Sequence, residues 1–167
     1  VMGYVKEDLL YPLKKLEYRG YDSSGIATAN GILEKDVGKI DGLIDKIQNY
    51  TFTTGIGHSR WATHGDPTRT NAHPHFNMEK TIYAVHNGII TNYADIKHVL
   101  ECEGYRFISD TDSEIIPHYF DYKLNALGLD IHTAIQHFLK DVEGTYAVIL
   151  LRTGDTNLYA MKNQSPL

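Results

Sequence analysis

Gly25-Ile26-Ala27-Thr28-Ala29-Asn30-Gly31-Ile32-Leu33-Glu34-Lys35-Asp36-Val37 sets the turn dipeptide Asn30-Gly31 between two runs that suit strands. Asn-Gly tolerates the positive φ angles of a tight hairpin, so the stretch reads as two antiparallel strands, Gly25 to Ala29 and Ile32 to Val37. Working outward, Leu9, Leu10, Leu13 and Leu16 recur at helical spacing and predict a helix from about Glu7 to Leu16, with Pro12 as the odd member and Gly20 as its end. Val1 to Val5 reads as a short strand. Ile40, Leu43, Ile44 and Ile47 predict a short amphipathic helix, and Gly55 to His58 resumes a strand. Ile82 to His86 suits a buried strand, with a turn expected at Asn87-Gly88.

Further along, Asn92 is placed to cap a helix with the apolar set Tyr93, Ile96, Val99 and Leu100, closing near Gly104. Thr111 and Glu114 have capping-box spacing, so a second helix is expected from there to about Leu124, with Pro117 near its first turn. Asp130 is read as the cap of a third, carrying Ile131, Ile135, Phe138 and Leu139 on one face. Gly144 separates that helix from a strand, Tyr146 to Leu151, which Thr153-Gly154-Asp155 turns into Leu158 to Met161. Hairpin strands with helices grouped between them predict an α+β fold of antiparallel sheets covered by helices.

Composition bounds the function. A chain of 167 residues holds one core-forming domain. No apolar run approaches the roughly 18 residues of a membrane span, which argues against a membrane role. The net charge of −5, without clustered Lys and Arg, argues against nucleic acid and for a small partner. Cys102 is the single cysteine, so no internal disulfide forms; with no signal-peptide pattern, a cytoplasmic setting is expected.

Four polar segments carry the chemistry, each with two readings. Leu16-Glu17-Tyr18-Arg19-Gly20-Tyr21-Asp22-Ser23-Ser24-Gly25 lacks any helical or strand period and is a structural or functional loop. In Gly57-His58-Ser59-Arg60-Trp61-Ala62-Thr63-His64-Gly65, Arg60 is suited to a bidentate pair with a carboxylate, whether of a ligand or of the protein. Val85-His86-Asn87-Gly88 offers an amide and a backbone N–H for an oxyanion, or an ordinary turn. Asp112 in Thr111-Asp112-Ser113-Glu114 serves a substrate ammonium or a helix cap. His73-Pro74-His75 has an H-x-H spacing, which supplies the runner-up, a His-rich metal-dependent hydrolase. No H-E-x-x-H accompanies it, so no metal is expected.

Taken together these segments resemble the glutaminase domain of glucosamine-6-phosphate synthases. Leu16 to Gly25 is similar to their L-E-Y-R-G-Y-D-S-x-G, and Gly57 to Gly65 to G-H-x-R-W-A-T-H-G. Asn71-Ala72-His73-Pro74-His75, Val85 to Ile90 and Thr111 to Glu114 follow in the same order, and the resemblance covers the whole chain, 1–167. It implies a class II glutamine amidotransferase domain with an N-terminal-nucleophile (Ntn) hydrolase-like four-layer αββα sandwich. It implies that Arg60 holds the α-carboxylate of L-glutamine and Asp112 its α-ammonium, with Thr63 and His64 lining the pocket. Asn87 and Gly88 become the oxyanion hole, Arg19 supports the nucleophile's surroundings, and Trp61 gates the ammonia exit. The partners implied are a sugar isomerase domain acting on fructose 6-phosphate and further copies in a homo-oligomeric full-length enzyme; no cofactor is implied.

Where the family opens Cys-Gly-Ile-Val-Gly, this chain opens Val1-Met2-Gly3-Tyr4, and it stops at Ser165-Pro166-Leu167 where the family's domain continues for several strands. The chain as given is therefore expected to be catalytically inactive, either as part of an active glutaminase or as a non-catalytic glutamine-binding relative. Cys102, between Glu101 and Glu103, is read as an ordinary helix cysteine.

Overall fold

A computed structural model of the chain describes residues 6–61 and 65–165. The expected strand at Val1 to Val5 lies outside them. The first half comprises helix α1 (Lys6–Lys15), the hairpin β1 (Ser23–Thr28) and β2 (Leu33–Val37), helix α2 (Ile40–Ile47) and strand β3 (Gly55–Arg60). The second half comprises β4 (His75–Phe76), β5 (Ile82–Ile90), helices α3 (Tyr93–Cys102), α4 (Ile115–Asp121) and α5 (Ile131–Asp141), then β6 (Gly144–Arg152) and β7 (Leu158–Asn163).

The strands form two sheets, ordered β2-β1-β3 and β4-β5-β6-β7, and every named pairing is antiparallel. Alternation along the strands explains how the sheets stack, because successive side chains leave opposite faces. Ile26 of β1 packs with Leu9 and Leu13 of α1 and Leu43 and Ile47 of α2, whereas its neighbour Ala27 turns the other way. There Ala27 and Ile56 meet Tyr83, Val85 and Leu151 of the second sheet. The alternate residues Ile82, Ala84, Val148 and Leu150 face Leu100, Ile116, Phe120 and Phe138 of α3, α4 and α5. The result is an α+β sandwich of four layers, αββα, as the resemblance implies. No helix among the described residues is long and apolar enough to cross a membrane.

The hairpin turns where expected, with Gly31 at φ 86° and the Ile32 N–H donating to Thr28 Oγ1 at 3.0 Å. Asp130 caps α5 by accepting from the His132 and Thr133 N–H groups. Other local expectations are corrected. β5 does not turn at Asn87-Gly88 but runs on to Ile90, pairing Gly88 with Tyr146. Glycine permits this, because Gly88 has φ 133° and an added Cβ would lie 2.0 Å from the Thr145 carbonyl oxygen. Asn92 makes no side-chain cap on α3; its amide instead ties to Asp141 O and the Glu143 N–H, joining that helix start to the end of α5. The Thr111–Glu114 capping box is absent as well. Glu114 accepts the Ile108 and Ser109 N–H groups, and Thr111 Oγ1 contacts His75 Nε2 at 3.0 Å. Tyr93, Val99 and Leu139 are exposed rather than core-facing, and Gly144 opens β6 rather than preceding it.

Candidate functional site

The ends of β3 and β5 and the loop before α4 converge on one cavity of about 490 Å³. Arg60, Asp112, Asn87, Gly88, Arg19 and Trp61 all line it. Thr63 and His64, expected in the same pocket, lie outside the described residues. Six residues separated by up to 93 positions in sequence are thus brought to one cavity by the pairing of β1 with β3 and the proximity of the two sheets.

Arg60 ends β3 and is buried, with 6% of its surface exposed. Its guanidinium donates to the carbonyls of Gly65 at 3.4 Å and Asp66 at 3.5 Å. Burial lowers its pKa from the ordinary arginine value, against the opposing charges of Asp22 and Asp112. Gly20 is needed beneath it, because a Cβ there would stand 2.6 Å from the Trp61 backbone nitrogen and 2.7 Å from the Arg60 carbonyl carbon. Trp61 is more than half exposed and meets Tyr21 edge-on, ring centres 6.0 Å apart.

Asp112 sits in the turn that leads into α4. Its Oδ2 accepts the Ile90 N–H at 2.8 Å, and its Oδ1 accepts from Ser113 Oγ at 3.2 Å. Asn87 and Gly88 are exposed on β5, three and two positions before Ile90, so the backbone that anchors Asp112 also presents the amide and the glycine. Asn71 joins the loops around the site: its amide nitrogen donates to Asp66 O at 3.1 Å and Asp110 Oδ2 at 3.3 Å, and its oxygen accepts the Asp110 N–H at 3.0 Å. That bracing role was not singled out in the sequence, since it depends on contacts across 39 positions.

Three histidines cluster at the cavity: His58, half-buried, and His73 both line it, and His75 is buried beside them. His58 and His73 lie with ring centres 4.4 Å apart, and His73 meets His75 edge-on at 4.7 Å. Burial, then neighbouring positive charge, pushes the pKa of His58 down to about 4 and those of His73 and His75 well below the usual value. Among the described residues no group of three or more His, Cys, Asp or Glu side chains is placed to hold a metal ion, which leaves the metal-hydrolase reading without a ligand set there. Glu114 is shifted the opposite way from a typical buried acid. Burial would raise its pKa, but hydrogen bonds from His118 and from Ser109 and Ile108 outweigh it and bring it to about 2. Cys102 is exposed at the end of α3 and does not line the cavity.

Comparison with known proteins agrees with this fold. Residues 58–167 match the family model of the glutamine amidotransferase domain. A glutamine–fructose-6-phosphate aminotransferase (isomerizing) of Fusobacterium nucleatum is 44% identical over 96% of the chain, and one of Campylobacter jejuni is 43% identical over all of it. The chain spans only 27% and 29% of the lengths of those relatives. A solved structure titled as the allosteric regulatory enzyme of purine biosynthesis superposes with a TM-score of 0.75 at 24% identity, over 90% of this chain and 34% of that one, and so shares the fold. Fold and sequence match converge on one statement: the chain belongs to the glutamine amidotransferase domain family.

Proposed function

We propose that the cavity binds L-glutamine, with the Arg60 guanidinium on its α-carboxylate and the Asp112 carboxylate on its α-ammonium. The observation that carries this reading is a buried cation and an anchored anion on the wall of one cavity, a complement to a zwitterion. The planar guanidinium makes two parallel bonds to a carboxylate, which fixes orientation as well as charge. The Asn87 amide and the Gly88 N–H then donate to the oxygen that gains charge when the side-chain amide is attacked. Arg19 supports the surroundings of the attacking group, and Trp61 gates the path of released ammonia.

Cys102 lies off the cavity, so in this reading the nucleophile is a cysteine outside residues 1–167, with its own α-amine as base. Such an amine has a pKa of about 7.7–8.0, close to working pH. The names of the relatives, glutamine–fructose-6-phosphate aminotransferase (isomerizing), support the transfer to fructose 6-phosphate. Ammonia passes to a sugar isomerase domain, also outside this chain, which converts fructose 6-phosphate to glucosamine 6-phosphate in a cytoplasmic homo-oligomer.

The clamp is tested by comparing glutamine with glutaramate, which lacks the α-amino group. Replacing Asp112 by Asn is expected to raise KM for glutamine by more than about tenfold, since hydrogen bonds to charged groups contribute about 1.5–3 kcal/mol. It should leave the weak handling of glutaramate unchanged. An equal effect on both compounds would contradict the assignment.

A further inference from the structure

Beside Asp112, on the lining of the same cavity, stands a pair of side chains that the glutamine-binding reading does not use. His86, on β5, is 4% exposed, and its Nδ1 is 2.8 Å from the Oγ of Ser113, itself 3% exposed. That same Oγ lies 3.2 Å from Asp112 Oδ1. We propose that His86 and Ser113 are positioning residues for Asp112, a relay in which His86 Nδ1–H donates to Ser113 Oγ and the Ser113 hydroxyl donates to the carboxylate. The proposal rests on the assignment of Asp112 to the glutamine ammonium.

The direction of the relay follows from proton counting. Ser113 has a single hydroxyl proton, and an ionised carboxylate only accepts. A bond to charge is stronger than one to a neutral ring nitrogen, so the proton goes to Asp112 and His86 Nδ1 must supply its own. The other ring nitrogen agrees. His86 Nε2 is buried and has no hydrogen-bond partner among the described residues. Carrying a proton there would orphan a buried N–H, which is the less tolerated of the two arrangements. Burial lowers the pKa of His86, against the opposing charge of Asp112, so the ring is neutral at working pH and one tautomer is selected.

The relay matters because it completes the grip on Asp112. Oδ2 is held by the Ile90 N–H and Oδ1 by Ser113, so the carboxylate has one rotamer and directs its remaining lone pairs at the cavity. Ile90 and His86 belong to the same strand that presents Asn87 and Gly88. Strand β5 therefore sets the ammonium site and the oxyanion donors in one frame.

The test uses the full-length protein. Nitrogen-15 NMR of ring-labelled histidine should show His86 with Nδ1 protonated and Nε2 bare. Replacing Ser113 by Ala should raise KM for glutamine about tenfold while kcat changes by less than about twofold, because ground-state and transition-state grip on the ammonium are lost together. Ser113→Thr, which restores a hydroxyl, should return KM to within about threefold of the original. An Nε2–H tautomer in the unmodified protein would overturn the relay without touching the clamp, as would a Ser113→Ala variant with unchanged KM in a protein where Asp112→Asn raises it. An unchanged KM in Asp112→Asn would instead overturn the clamp on which the relay rests.

Discussion

Asn87 shows how little of a residue's role is carried by its local sequence. Asn-Gly is the strongest short turn signal available, and the earlier pair, Asn30-Gly31, does turn a hairpin. The second pair lies mid-strand because Gly88 has to pass 2.0 Å, from its missing Cβ position, beside the Thr145 carbonyl. That demand comes from β6, more than fifty residues later, and no local pattern contains it. With Asn87 exposed at the cavity, its amide is expected to act mainly in the transition state. Asn87→Ala should lower kcat by about 10²–10³, equivalent to about 2.7–4 kcal/mol, with KM little changed. Steady-state kinetics checks this, and an effect confined to KM would remove the oxyanion role.

At the scale of elements, the legible parts were those decided locally. The β1–β2 hairpin, the apolar stripes of α1 and α2, and the Asp130 cap each depend on residues within a turn or two. Asn92, Thr111 and Glu114 depart from the local pattern because each has capping chemistry yet spends it outside its helix: Asn92 and Thr111 on the distant end of α5 and His75 of β4, Glu114 on the preceding 108–109 loop. The histidines are a further product of strand packing, since His58 of β3, His75 of β4 and the intervening His73 meet only once the two sheets face each other. Their depressed pKa values make the pairing of elements acid-sensitive. Unfolded histidine takes a proton near pH 6.5, whereas His58 resists until about pH 4, so its share of stability is full above about 6.5 and is lost as pH falls towards 4. Glu114 adds a second loss from about pH 4.5 down to about 2. Thermal unfolding should therefore show Tm falling below pH 6.5, well before carboxylates titrate, and His58→Gln should flatten the fall between 6.5 and 4. A Tm independent of pH from 6.5 to 5 would contradict this.

For the whole molecule, periodicity in the sequence supplies helices, strands and antiparallel pairing, but not the number of layers. Four layers follow from strands buried on both faces, such as β1, in which all six residues are buried and odd and even positions enter different cores. Only the resemblance implied that stacking in advance, along with the gathering of Arg60, Asp112 and Asn87 from three separated segments. Its reason is physical: the sandwich leaves a cavity where the ends of β3 and β5 meet, and a buried guanidinium and an anchored carboxylate share its lining. The claim that this pair grips the amino-acid end of glutamine is tested most directly by calorimetry on the full-length protein and its Arg60→Lys variant. Two ligands are needed, L-glutamine and 4-aminobutanamide, which lacks the α-carboxylate. Lysine keeps the charge but loses the planar fork, so glutamine affinity should fall by more than about tenfold while the weak binding of 4-aminobutanamide stays as it was. Unchanged glutamine affinity in Arg60→Lys would contradict the account.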